Sequence, residues 1–226
     1  MRHFQLAMLG CLATLLATCS GGDERPTLNL QVYEAVREYA AAQLEPKTVR
    51  PPLTRAALDE LEGAFQEIVI ERNNQLAYLY VGGVLQDPSI GTIVTWRSED
   101  NVALTLRNGV LIAMRGIGGD LISSDVSQAP SKIGPVGGGE RRMFFLARDN
   151  QSIPIIFACE VETLGTVKIT IVERTHRTRH VRERCEGQQG QIVNDYWIDS
   201  HDQLAWQSRQ WAGPDVGYVR FRRLTN

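Results

Sequence analysis

Carboxylates and histidines are the side chains here that could do chemistry, and their spacing decides what kind. Glu99 and Asp100 follow Trp96 in a turn, while Asp195, Asp199 and Asp202 lie in or beside a tryptophan-rich segment near the C-terminus. Glycosidases use paired carboxylates, one as acid and one as base or nucleophile. Nothing local sets a separation or a raised pKa for these five, and Asp in turns has a structural job of its own. His176 and His180 fall two steps apart on one strand face, a poor chelating distance, and His201 is the remaining histidine of the body. With no third ligand in sight, no metal is expected. Ser208 lacks a G-x-S-x-G context. The Gly run 137–139 is followed by no Lys-Ser/Thr pair and opens no helix, so it is no phosphate cradle. The residues point to no catalytic group and no cofactor.

The most basic run is RTHRTRHVRER, from Arg174 to Arg184. Strand alternation puts Arg174, His176, His180, Arg182 and Arg184 on one face, and Arg177 and Arg179 on the other. Such a face suits an acidic polysaccharide or a lipid headgroup, or is a solvated hairpin with snorkelling stems. The formal charge of the 226-residue chain is −2, so there is no general pull toward nucleic acid.

Aromatic density peaks between Asn194 and Pro214, which hold Tyr196, Trp197, Trp206 and Trp211. The pattern reads as a β-hairpin. Ile198 closes one strand, Asp199-Ser200-His201-Asp202 turns, Gln203 to Trp211 returns, and Gly213-Pro214 ends the pairing. Side chains of this size fill a core or wall a groove that stacks sugar rings or acyl chains. The candidate glycan or partner surface is Trp197, Trp206, Arg209 and Trp211.

The elements that must position these residues begin with a targeting segment. Residues 1–18 carry a short basic start (Arg2, His3) and an apolar stretch from Leu6 to Ala17, too short to span a bilayer. Leu16-Ala17-Thr18-Cys19 has the lipobox shape, which makes Cys19 the expected lipidation site, carrying several acyl chains. Ser20 rather than Asp follows it, which points to the periplasmic face of the outer membrane. No other stretch is apolar over 18 residues, so no internal span is expected. Residues 19–27 form a polar tether. A helix is predicted over Leu28–Leu44 and a short one over Arg55–Leu61, with Thr54 as N-cap and Gly63 as stop.

From Phe65 the apolar period becomes two. Strands are predicted over Phe65–Arg72, Gln75–Val81, Gly91–Arg97, Val102–Arg107 and Val110–Arg115. The last two flank Asn108-Gly109, the type I′ hairpin pair. Residues 116–140 read as a Gly-rich loop. Strands resume at Arg142–Arg148, Pro154–Glu162, Thr166–Arg174, Thr178–Cys185, Gln191–Ile198, Gln203–Trp211 and Val216–Arg223. About a dozen strands with short connections give a mainly β, antiparallel barrel-like or sandwich domain over residues 28–226, with a helical preface. Cys159 and Cys185 are the cysteines of the body. In an oxidising compartment they most simply form one disulfide, the rivals being a metal pair or two free thiols.

These pieces together resemble the YjbF/GfcB-type lipoproteins encoded with exopolysaccharide and group 4 capsule export genes. The resemblance is carried by the lipobox at Cys19, by Thr95-Trp96-Arg97-Ser98-Glu99-Asp100 with Arg107-Asn108-Gly109 and Arg115-Gly116-Ile117, and by the Cys159/Cys185 pair. It is carried most specifically by Asn194-Asp195-Tyr196-Trp197-Ile198-Asp199 with Ser208-Arg209-Gln210-Trp211-Ala212-Gly213-Pro214. The chain departs from the family at Ile117 and in its 116–140 loop. The resemblance implies an antiparallel β-barrel-like fold and an outer-membrane lipoprotein with a non-enzymatic accessory role in polysaccharide secretion. Its partners would be the membrane, through Cys19, and polysaccharide export proteins or acidic polysaccharide. Two other readings stand beside it. A carrier of lipid or lipid-linked sugar needs a deep cavity lined by inward residues after Phe65. A carbohydrate-active enzyme needs two of Glu99, Asp100, Asp195 and Asp199 to converge in a cleft.

Overall fold

The computed structural model describes residues 52–87, 91–125, 139–147, 149–201 and 204–225. The expected signal segment, Cys19, the tether and the helix over Leu28–Leu44 lie outside the described residues, as do Asp202 and Gln203 of the expected turn. The described residues begin with a short helix, α1 (Arg55–Asp59). Thr54 caps it as expected, its hydroxyl accepting the Ala57 N–H at 3.2 Å. Twelve strands follow: β1 (Phe65–Ile70), β2 (Gln75–Asp87), β3 (Gly91–Arg97), β4 (Ala103–Arg107), β5 (Val110–Arg115), β6 (Leu121–Asp125), β7 (Gly139–Leu146), β8 (Ser152–Ile171), β9 (Arg174–Gly187), β10 (Gly190–Asp199), β11 (Ala205–Trp211) and β12 (Tyr218–Arg223).

Each strand pairs antiparallel with its neighbour in sequence, and β1 closes the ring on β12. The expected dozen-strand β domain is therefore a closed barrel and not a sandwich. Closure leaves no strand at a free end of the sheet, though the β5–β6 seam is held at a single register pair. Alternation places Ile68, Leu104, Met114, Met143, Phe157 and Phe221 in a shared buried core. Asn108 (φ 47°) and Gly109 (φ 86°) make the expected left-handed pair between β4 and β5.

Three expectations about the strands change. Leu121–Asp125 is a strand inside the segment read as loop, joined to β5 only at Met114 and Leu121. Pro154–Glu162 and Thr166–Arg174 are not two strands but one of 20 residues, β8. Gly165, in the gap between those two expected strands, sits beside a register shift at Thr163/Gly165 within the ladder and not at a turn. The turn comes later, at Val172 (φ 40°) and Glu173 (φ 65°), which do without Gly or Asn. A β-branched residue at positive φ is strained. Arg55 holds this tip: its guanidinium donates to the carbonyls of Val172 (3.2 Å), Ile171 (3.0 Å) and Leu224 (2.8 Å). The tip thus packs back against α1 and the end of β12, where Leu58, Ile171, Trp206 and Leu224 form a second buried cluster.

Cys159 and Cys185 face each other directly across β8 and β9 and form the expected disulfide, with Cα atoms 4.0 Å apart. The bond closes a sequence separation of 26 residues. Replacing both by alanine should lower the unfolding free energy by about 3 kcal/mol, measured as an earlier urea midpoint; an unchanged midpoint would show that the cross-link restrains nothing in the unfolded chain.

Candidate functional site

β5 is bonded to its own neighbour β6 at a single register pair, so the Leu111 backbone on that side needs other partners. It finds one across the lumen, on β11, and one on β7, the strand beyond β6. The Leu111 N–H donates to Gln210 Oε1 on β11 at 2.8 Å, and Arg141 Nη2 on β7 donates to the Leu111 carbonyl at 3.3 Å. Gln210 Nε2 in turn donates to the Gly109 carbonyl and to Ser208 Oγ, both at 2.8 Å. β5 and β11 stand on opposite sides of the twelve-membered ring. A Cβ added to Gly109 would lie 2.8 Å from the Ala205 Cβ of β11, so opposite walls touch there.

The charge behind this bridge is a buried ion pair. Arg141 Nη1 donates to Glu183 Oε2 at 2.6 Å, with both side chains almost fully buried. Asn194 Nδ2 donates to the same oxygen at 2.7 Å, and Asn194 Oδ1 accepts the Trp211 N–H at 2.7 Å. The Tyr196 hydroxyl stands 3.4 Å from Glu183 Oε2 and 3.3 Å from Gln210 Oε1 and can donate its one proton to either. Burial first, then the Glu183 carboxylate, push the Tyr196 pKa well above that of a free phenol. Burial works against the Arg141 charge, but Glu183 and Tyr196 outweigh it and its pKa is raised. Glu183 also lies within 4.8 Å of both cysteine sulfurs; these are bonded to each other and present no thiolate pair to a metal.

The outer face of the same strands carries a belt of ion pairs. Asp195 accepts from Arg182 Nε at 2.8 Å, and His180 Nε2 stands 2.8 Å from the same oxygen. The His180 ring stacks on Trp197, centroids 4.7 Å apart at 9°. Arg209 forks onto Glu71 and lies over the Tyr218 ring at 3.5 Å. Burial opposes the Arg209 charge, yet the Glu71 hydrogen bond and charge raise its pKa. Arg222 reaches Glu67 at 2.6 Å, and Arg184 reaches Glu162 at 2.7 Å. Of the basic run, Arg182 and Arg184 thus meet acids on neighbouring strands.

The four residues of the expected glycan or partner surface do not share one face. Trp197 and Arg209 are half-buried on the outer wall. Trp206 is the extra residue at a register shift between β10 and β11, buried beneath α1, with its indole N–H donating to Asp199 Oδ2 at 2.8 Å. Trp211 turns toward the core and meets Phe145 and Phe157 edge-on at 5.7 and 5.6 Å. Nor do the weighed carboxylates converge: Glu99 and Asp100 are exposed in the β3–β4 turn, while Asp195 and Asp199 are four residues apart on β10, about 13 Å along an extended strand. Sequence reasoning missed Arg141 and Glu183. Parity carried the signal, since Arg141 shares a strand face with Met143 and Phe145, and Glu183 with Val181 and Cys185.

A closed twelve-stranded antiparallel barrel, with an apolar core, a polar bridge within and ion pairs on the outer wall of β9–β12, defines the class of the domain. The chain belongs to the group 4 capsule polysaccharide lipoprotein family (GfcB, YjbF), whose profile matches residues 31–224. That makes it a membrane-anchored envelope protein of the capsule class, as the sequence motifs imply. Its fold is similar to the crystal structure of the hypothetical lipoprotein YmcC from Escherichia coli K12, with a TM-score of 0.65 at 20% identity over 84% of this chain and 95% of that one. A putative exported protein with a YmcC-like fold from Bacteroides fragilis aligns at a TM-score of 0.35 and 9% identity, over 71% of this chain and 92% of that one. No curated protein matches the chain in sequence.

Two outcomes follow from the buried network. Arg141→Met leaves Glu183 buried without its partner and should cost about 3–5 kcal/mol, whereas Arg141→Met with Glu183→Leu should cost less, both read from urea unfolding; equal losses would place the value of Arg141 in its bond to Leu111 alone. The second concerns alkali. An unfolded Tyr ionises near pH 10, while folded Tyr196 keeps its proton, so above that pH the folded state binds more protons and stability falls as pH rises. Tyr196→Phe should flatten this alkaline fall in a series of melts.

Proposed function

We propose that the protein sits on the periplasmic face of the outer membrane, anchored by acyl chains on Cys19, and acts as a non-enzymatic accessory factor in exopolysaccharide or capsule secretion. Membership of the capsule lipoprotein family over residues 31–224 carries this reading. The side chains that chemistry could have used support it. Asp195, Asp199, Glu67, Glu71 and Glu183 are all spent on internal partners. The barrel has apolar residues inside and Arg–Glu pairs outside, the reverse of a membrane-spanning barrel with its apolar outer band. A lipid anchor is then what holds such a domain at a membrane. Ser20 after Cys19 favours the outer membrane. The outer wall bearing Trp197 and Arg209 is the surface offered to export proteins or acidic polysaccharide.

A lipid carrier fits less well. The inward side chains among the described residues pack on one another and bridge opposite walls, where a carrier needs an open interior. Cys19→Ala should release the protein from the outer-membrane fraction and lower the polymer recovered from the cell surface. Full secretion from cells making only the released form would remove the anchor from the mechanism.

A further inference from the structure

Outside the barrel wall, α1, the start of β9 and the end of β12 enclose a cleft of about 220 Å³. Its floor is His176 and Trp206, 8% and 7% exposed, with rings 3.7 Å apart. The Trp206 N–H is spent on Asp199. His176 Nε2 is buried and has no hydrogen-bond partner. A buried polar atom left so is destabilising, and a ligand group that pairs with it recovers that loss. Burial lowers the His176 pKa, with Arg174 and Arg55 adding to the shift against Asp199, so the imidazole is neutral at neutral pH. At the rim stand Arg174 and Asp59, 3.6 Å apart and about half exposed. Leu61, 46% exposed, adds an apolar edge.

The charge pattern selects among ligands. Arg55 lines the cleft, but its guanidinium is committed to three backbone carbonyls. Arg174 is balanced by Asp59. The cleft therefore offers no concentrated positive charge to a phosphate or carboxylate. It offers an acceptor and a donor side by side, suited to neighbouring hydroxyls, plus a recessed neutral imidazole and apolar ring edges. At about 220 Å³ it is smaller than the roughly 300–1,000 Å³ of sites for drug-sized molecules. That leaves room for one ring and not for a run of them.

We propose that this cleft binds a single neutral pyranose, with hydroxyls on Asp59, Arg174 and His176 Nε2. The proposal deepens the secretion reading and rests on it for the source of the sugar, a residue of the exported polymer. Binding is tested apart from secretion. The purified full-length protein, in detergent, is titrated with glucose, galactose and mannose, with the matching uronic acids, and with inorganic phosphate. The readouts are saturation-transfer NMR of the sugar and the Trp206 indole N–H shift. A neutral hexose should give a saturable response. Arg174→Ala and Asp59→Ala, at exposed positions, should each weaken it about tenfold or more, the loss expected of a hydrogen bond to a charged group. Leu61→Trp, which fills the mouth from the surface, should abolish it, with far-UV circular dichroism unchanged in all three. Response to phosphate or uronic acid alone would overturn the proposal, as would no response to any hexose, or hexose binding untouched by all three variants. Hexose binding lost in Arg174→Ala, beside normal secretion from cells lacking the protein, would uphold the cleft and strike only the secretion reading.

Discussion

The bonds that Gln210 makes to the Leu111 and Gly109 backbone tie opposite walls of the barrel together, and Arg141 completes the pairing of Leu111 from β7. About eight strands enclose a lumen that one layer of side chains can fill, and wider barrels tend to hold a channel or a ligand. Twelve strands are therefore too many to seal by side chains alone. Here the β4–β5 hairpin leans inward until Gly109 meets Ala205, and its backbone is paired by side chains from the far side. The inward lean removes β5 from most of its ladder with β6. Every lost ladder bond in a dry interior must be replaced. Gln210 supplies both a donor and an acceptor to that end. Arg141 supplies a second donor, and Glu183 with Asn194 keeps the Arg141 charge in place.

The family's most specific stretch takes its composition from this arrangement. Alternation splits it cleanly. Asn194, Tyr196, Ser208 and Gln210 face inward and complete the lumen network. Asp195, Trp197 and Arg209 face outward and tie β9, β10 and β11 to one another and to Glu71 beyond β1. Aromatic density in the linear sequence fits either a core or a stacking wall. In space it belongs to three places: the outer face for Trp197, the cluster under α1 for Trp206, and the core for Trp211. Trp206 is itself the extra residue at a register shift in β11, outside the regular alternation of that strand.

Much of the fold was legible because it follows local rules. The period of two, the Asn108-Gly109 turn, the Thr54 cap and the opposed cysteines all have signals within a few residues of themselves. What was hidden depends on distant partners. Closure of β1 on β12 joins residues about 150 positions apart, with no local mark distinguishing a barrel from a sandwich. The long β8 reads as two strands with Gly165 in the gap, while the true turn at Val172-Glu173 has neither Gly nor Asn. The buried pair was half legible: strand parity points Arg141 inward, but only the Leu111 carbonyl, which β6 leaves for the strand beyond it, and Glu183 explain why a guanidinium should be there. The cleft was illegible for the same reason, since Asp59, Arg174 and Trp206 come from three separate parts of the chain.

The strained turn and the cleft have one cause. Val172 and Glu173 adopt left-handed backbone that neither residue prefers. Arg55 stabilises it by taking the carbonyls on either side of the turn's entry together with that of Leu224. This fixes the tip of the longest hairpin against α1 and the last strand, and it carries Arg174 to within 3.6 Å of Asp59. A relaxed Asn-Gly turn at the same place would have no need of the clamp and would leave Arg174 free to swing into solvent. Within the barrel, the described side chains are taken up by the core and by the bridge from Gln210 to β5. Clefts on its outer surface, such as the one this clamp assembles, are therefore where binding chemistry has room to act.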